Sequence, residues 1–266
     1  MNELYRKLTQ APFVIAGPCV LEDADTAMRI CADMKEACEK AGFSYVFKAS
    51  FDKANRTSLS SYRGPGMEEG LRMLEEIGRV QGVPLLTDIH EPSQAGPAGE
   101  VADILQIPAF LCRQTDLLTS AAKTDRIINI KKAQFLSGGD MVHPLTKVRE
   151  SGNHKVMLTE RGTMFGYNNL VVDYRNVIDM MEMDVPVIMD ATHSVQRPGG
   201  LGGKSGGDGR LAPRMAYAAA AVGVKAFFIE THPDPDSAKS DGPNMIPLGD
   251  MPDFLKKLMQ FIAVTK

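Results

Sequence analysis

The chain has 266 residues, 44% of them hydrophobic and 24% charged, with a formal net charge of −3. That length suits one (β/α)8 barrel of roughly 250 residues, so a single domain is expected over 1–266. No basic run points to nucleic acid, no segment approaches a membrane span, and four cysteines without a paired framework fit a reducing cytoplasm.

The first ten residues, MNELYRKLTQ, lack an apolar signal core and read as an arm or a cap over a barrel floor. Eight short apolar runs follow: FVIAGPC, SYVFK, VPLLTD, DILQ, IINIKK, KVMLTER, PVIMDATH and KAFFIE. Each stops at or near a charged, thiol or amide side chain, in order Cys19, Lys48, Asp88, Gln106, Lys131, Arg161, His193 and Glu230. Continuous apolar runs of this kind are parallel strands buried on both faces. Segments of helical period fall over 25–40, 67–81, 116–123, 168–183, 211–222 and 253–264. In the first, Met28, Cys31, Met34 and Cys38 share one face, which makes Cys31 and Cys38 packing residues, and Gly42 supplies a stop. Buried strands alternating with helices specify an α/β fold, and eight of them a closed (β/α)8 TIM barrel.

The C-terminal ends of all eight barrel strands meet at one mouth, so residues distant in sequence can share one site. Three long loops belong to that face: 49–66 after the second strand, 196–210 after the seventh and 231–247 after the eighth. The second, QRPGGLGGKSGGDGR, is glycine-rich enough for a mobile lid; a disordered surface insertion is the plainer alternative.

Closure makes the seventh, eighth and first strands consecutive neighbours. Their ends carry His193, Glu230 and Cys19, and Asp241 sits on the loop leaving the eighth. Thiolate, imidazole and two carboxylates suit iron(II), zinc, manganese or cobalt better than magnesium or calcium. A plainer reading stays open, with Cys19 a small buried hydrophobe and His193 a satisfied core or substrate-binding histidine. A second constellation is cationic: Lys48, Lys53, Arg56, Arg63, Lys131 and Arg161 lie at strand ends or in the first long loop. Several cations around one mouth suit a substrate bearing phosphate or carboxylate groups. A single lysine there can instead form a Schiff base, as in barrel aldolases.

Longer stretches surround these residues. They are AGPC at 16–19, FKASFDKANRTS at 47–58, TDIHEPSQA at 87–95 and IPAFLCRQTDLL at 107–118. NIKKAQF at 129–135, ERGTMFGYNNLVVD at 160–173, DATHSVQ at 190–196 and FIETHPDPDSAKSDGP at 228–243 complete the set. Together they closely resemble the 3-deoxy-D-manno-octulosonate 8-phosphate synthase family along nearly the whole chain. KANR is the most specific element. The related heptulosonate-phosphate synthases, which use erythrose 4-phosphate, carry a KPRTS-like motif where this chain has KANRTS.

The resemblance implies condensation of phosphoenolpyruvate with D-arabinose 5-phosphate and water, releasing inorganic phosphate. It implies that Lys131 and Arg161 hold the phosphate of phosphoenolpyruvate, and that Lys53, with Lys48 and Ser50, binds around its carboxylate. Gln106 is a further substrate-binding candidate. Asn55, Arg56 and Thr57 are expected on arabinose 5-phosphate; the family usually has Ser at the Thr57 position, so the hydroxyl is kept. Arg113 is expected to reach the sugar phosphate of a neighbouring subunit, in a homotetramer. The family has a metal-dependent branch with Cys and a metal-independent branch with Asn at the position of Cys19. The set Cys19, His193, Glu230 and Asp241 places this chain in the metal-dependent branch, with His193 also a candidate for touching substrate. His232 and Asp88 are candidates for supporting the ligands. By the same resemblance the product serves lipopolysaccharide assembly and the enzyme is cytoplasmic. A phosphosugar-binding barrel without turnover is the remaining, non-enzymatic alternative.

Overall fold

The computed structural model describes residues 3–56, 58–199 and 206–265. Each of the eight apolar runs forms a strand: β1 (Phe13–Gly17), β2 (Ser44–Lys48), β3 (Leu85–Asp88), β4 (Ile104–Ile107), β5 (Ile127–Lys131), β6 (Val156–Glu160), β7 (Val187–Asp190) and β8 (Ala226–His232). They pair in chain order, all parallel, and β1 also pairs with β8 from Phe13↔Ala226 to Gly17↔Glu230. That last pairing closes the cylinder. The expected (β/α)8 TIM barrel is the fold, with long loops after β2, β7 and β8 on the catalytic face.

Side chains alternate between the barrel interior and the surrounding helices. Phe13, Ile15, Val46, Leu86, Ile104, Ile127, Met157, Ile188, Ala226 and Phe228 form one apolar cluster inside the barrel. Two residues further along the same stripes stand Lys48, Asp88, Gln106, Asn129, Thr159, Asp190 and Glu230, all buried. One more step brings Lys131 and Arg161 to the rim. The opposite stripes, including Val14, Phe47, Leu105, Ile128, Leu158, Met189 and Phe227, join a larger cluster shared with the helices. The interior thus grades from an apolar floor, through neutral polar and charged groups, to a cationic rim.

Helix α1 (Glu3–Gln10) plugs the floor, as expected of the first ten residues. Its Tyr5 and Leu8 belong to the interior cluster, and the Tyr5 hydroxyl donates to Val156 O at 3.0 Å. One helix then follows each strand: α2 (Ala24–Ala41), α3 (Met67–Gln81), α4 (Ala95–Val101), α5 (Thr115–Lys123), α6 (Val142–Glu150), α7 (Tyr174–Met181), α8 (Ala212–Ala221) and α9 (Met251–Val264). Asp23 caps α2 by accepting from the Thr26 N–H at 2.8 Å, and Gly42 ends it at φ 84°. All four cysteines are buried and free; Cys31, Cys38 and Cys112 pack in the outer cluster.

Three readings change. The helix expected over 168–183 begins only at Tyr174, where Asp173 caps the Arg175 N–H. Before it, Thr163–Met164 pairs antiparallel with Leu170–Val171 in a small hairpin. Left-handed Gly166 and Asn168 turn that chain, and β-branched Val171 and Val172 follow them. Helices α4 and α6 had no clear sequence signal. AGPAGEV carries two glycines and a proline, so docking against the sheet supplies what propensity does not.

One close approach joins the ends of β1 and β2. A Cβ at Gly17 would lie 2.0 Å from the backbone oxygen of Lys48. Gly17→Ala is therefore expected to lower stability by about 1–3 kcal/mol or more, read from the urea midpoint. Gly96→Ala, in a helix with nothing within 4 Å of the new methyl, should be neutral or slightly stabilising.

Candidate active site

Burying a carboxylate is unfavourable unless it is paired. At the top of the interior two are buried side by side, and each meets a lysine. Lys48 Nζ lies 2.7 Å from Glu230 Oε1, and Lys131 Nζ lies 2.6 Å from Asp190 Oδ2. Lys48 also donates to Pro18 O at 2.7 Å and Cys19 O at 3.4 Å, so it fixes the turn leaving β1 as well as Glu230. Lys131 lies 3.7 Å above the Phe228 ring. Burial opposes ionisation of Glu230, but Lys48, His193 and Lys53 outweigh it and hold the carboxyl at about 2. Asp190 is likewise held well below the carboxylate range by His193 and Lys131 against burial.

Three of the four expected ligands converge, and the fourth, His193, stands at their edge. Ligand atoms of Cys19, Glu230 and Asp241 lie within 4.8 Å of one another. Cys19 Sγ stands 3.2 Å from Asp241 Oδ2 and 3.0 Å from Ser240 Oγ. His193 Nε2 faces the cluster from 3.7 Å (Glu230 Oε1) and 4.0 Å (Asp241 Oδ2), and its Nδ1 lies 2.8 Å from Asp190 Oδ2. Burial, then Glu230, raises the Cys19 thiol, with Asp241 adding to the effect against Lys53 and Lys48; the proton stays on sulfur until a cation replaces it. Glu230 Oε2 is buried without a hydrogen-bond partner. A soft thiol, an imidazole, two carboxylates and an unsatisfied oxygen fit a divalent transition metal.

A cavity of about 940 Å³ is lined by Lys48, Lys53, Arg56, Lys131 and Arg161 together with His193, Glu230 and Asp241. Arg161 is buried, donates to Gln196 Oε1 at 2.9 Å, and leaves its Nη1 without a partner. Burial lowers the Lys53 ammonium, but the carboxylates of Glu230, Asp88 and Asp241 outweigh it and keep it charged. Ser50, Asn55 and Gln106 line the same cavity. Arg56 bridges two long loops through Ser240 Oγ at 2.7 Å and Lys239 O at 3.0 Å. Arg63 departs from the expected cationic mouth: it is exposed and paired with Asp52 outside the cavity lining. Arg113 is exposed and also outside that lining, and Thr57 lies outside the described residues. Of the loop 196–210, Gln196–Arg197 and Gly206–Gly207 form a short antiparallel pair; positions 200–205 lie outside the described residues.

The model of the DAHP synthetase I family matches residues 9–265. The 2-dehydro-3-deoxyphosphooctonate aldolase of Nitratidesulfovibrio vulgaris (strain DP4) is 56% identical over 257 residues, which cover 97% of this chain and 94% of that protein. Those of Brucella abortus (strain S19) and Agrobacterium fabrum are 53% and 54% identical, over 95% of this chain and 91% and 90% of theirs. The chain belongs to the DAHP synthetase I family. Within it, the chain groups with the 2-dehydro-3-deoxyphosphooctonate aldolases, the octulosonate-phosphate synthases under another name.

This member of the DAHP synthetase I family carries site residues that its sequence did not single out. Asp190 links Lys131 to His193, and it ends the run PVIMD as Asp88 ends VPLLTD, so its place was legible. Ser240 and Gln196 had no such signal, because loop packing brings them in. Asp88 meets His90 Nε2 at 3.2 Å, while His232 Nδ1 turns to Asp234 O at 2.7 Å.

The sign of one pH effect follows for the metal-free protein. Glu230 falls from an ordinary 4.5 to about 2, so its contribution to stability is full above 4.5 and lost as pH falls towards 2. Urea midpoints should drop through that window. Glu230→Gln, already destabilised by an unpaired buried Lys48, should drop less over it; an equal or steeper fall would reject the assignment.

Proposed function

We propose that this chain condenses phosphoenolpyruvate with D-arabinose 5-phosphate and water, giving 3-deoxy-D-manno-octulosonate 8-phosphate and inorganic phosphate. One observation carries the reading. The buried cations Lys131 and Arg161 share one cavity with Glu230 and Asp241, whose ligand atoms cluster with that of Cys19, in a chain 56% identical to a 2-dehydro-3-deoxyphosphooctonate aldolase.

In the reaction, the vinyl carbon of phosphoenolpyruvate bonds to the aldehyde carbon of the sugar. A water oxygen adds to the second carbon, and the bond from that carbon to the phosphate oxygen breaks. Phosphate leaves with the electron pair. Two anions must be held together against their repulsion, and positioning is a large part of the rate. Lys131 and the free Nη1 of Arg161 suit the departing phosphate, which gains charge as it leaves. Lys53, with Lys48 and Ser50 beside it, suits the carboxylate; Asn55, Arg56 and Thr57 suit the phosphosugar. Asp190 keeps Lys131 aimed across the mouth.

Cys19, His193, Glu230 and Asp241 would hold a divalent zinc, iron, manganese or cobalt ion, which supplies Lewis-acid polarisation of an oxygen. The reading includes a homotetramer with Arg113 serving a neighbour's site. Exposed Phe135, Met164, Phe165 and Tyr167 around the small hairpin supply an apolar surface for subunit contact. No described helix is long and apolar enough to cross a membrane; a cytoplasmic enzyme supplying lipopolysaccharide sugar is the reading that accompanies this activity.

Phosphate release from phosphoenolpyruvate with arabinose 5-phosphate tests the proposal. Activity should vanish on complete chelation and return with manganese or zinc. Cys19→Asn should lose at least the roughly 10–100-fold typical of a perturbed metal site and should not regain activity without metal. Full chelator-resistant activity in that variant would sink the metal assignment. Preference for erythrose 4-phosphate would move the chain to the heptulosonate reaction.

A further inference from the structure

Between the apolar floor and the charged rim lies a buried polar row, two members of which, Asn129 and Thr159, the reaction does not account for. Gln106 on β4 is paired in register with Asn129 on β5, and Thr159 follows on β6. Asn129 and Thr159 are fully buried. The Thr159 hydroxyl donates to Asn129 Oδ1 at 2.7 Å, and Asn129 Nδ2 donates to Gln106 Oε1 at 3.0 Å. Gln106 itself lines the active-site cavity.

The row has a direction. A carboxamide offers one acceptor oxygen and one NH2 group, both in its plane and on either side of the bond that carries it. Once Thr159 takes the oxygen of Asn129, only its NH2 remains for Gln106, and it engages the Gln106 oxygen. The Gln106 NH2 is then turned away from the row. A donor at that place is chemically sensible. Lys131 and Arg161 follow Asn129 and Thr159 on the same inward stripes, and burial already disfavours their charge. A neutral NH2 adds a hydrogen bond to an anion without adding another buried cation, whereas an oxygen there would repel the anion.

We infer that Asn129, with Thr159 behind it, is a positioning residue that fixes Gln106 with its NH2 towards the cavity, where it donates to an anionic oxygen of the substrate. The inference rests on the proposed function for the identity of that anion, phosphoenolpyruvate. The orientation of Gln106 is a property of the ligand-free protein.

Asn129→Asp tests it, because a carboxylate of nearly the same shape can only accept. It keeps the Thr159 bond but turns Gln106 over, so that NH2 meets the carboxylate and oxygen faces the cavity. In protein labelled with side-chain [15N]glutamine, the native Gln106 NH2 should exchange with solvent and shift when phosphoenolpyruvate is added. In Asn129→Asp it should be protected and unshifted. KM for phosphoenolpyruvate should rise about 10–100-fold, the loss of one hydrogen bond to a charged group, with kcat changed far less. Gln106→Glu, which has no NH2 to offer, should raise KM similarly.

A protected Gln106 NH2 in the native ligand-free protein would overturn the inference, and that measurement needs no variant to fold. An unchanged KM in Asn129→Asp would overturn it too. If native protein shows the solvent-facing NH2 but does not turn over phosphoenolpyruvate, the functional reading fails while the positioning role of Asn129 is upheld.

Discussion

Compensation of buried charge is the constraint on which the upper half of this barrel depends. Glu230 and Asp190 are almost fully buried on neighbouring strands, and each is tolerable because a lysine from another strand reaches it. Lys48 comes from β2 and Lys131 from β5, so the two pairs span the mouth. Lys48 additionally ties down the turn at Pro18 and Cys19. Removing either lysine would leave a buried carboxylate exposed to its neighbour's charge. The network therefore fixes the mouth's shape and sets which groups stay ionised.

Among the described residues, that network leaves several buried polar atoms without a hydrogen-bond partner. Glu230 Oε2 and Arg161 Nη1 are among them, one at the proposed metal site and one in the cation-lined cavity. Native interiors rarely leave such groups unsatisfied, so a cation and an anion are the natural completions. The thiol of Cys19 fits the same logic. It stays protonated against Asp241, and in the proposed metal-bound state a cation would offset its surroundings and make it a strong ligand. Asp190 couples the two sides, its Oδ2 lying against both Lys131 Nζ and His193 Nδ1.

Much of this was readable from residues. Apolar runs ending in chemical side chains fixed the eight strands, because a strand covered on both faces has no polar positions to spare. Helices with a clean apolar stripe, such as α2 and α3, were equally legible. Helix α4 was not, since its glycines and proline hide it until the sheet supplies a surface. The hairpin before α7 was missed because its turn uses left-handed Asn168 within an otherwise helical-looking stretch. Arg63 was grouped with the cavity cations by proximity in sequence, but the loop carries it outward to Asp52.

The sequence by itself determined the barrel, the candidate ligands and the cationic rim, because strand period and strand ends are local properties. Family membership follows from the same residues through the comparisons with relatives. Only the tertiary structure decided which charges pair, that Asp190 joins the two halves of the site, and that Asn129 orients Gln106. Those depend on register between strands and on which stripe faces inward once β1 meets β8. Contacts between strands far apart in the chain have no local signature, so closure had to come first.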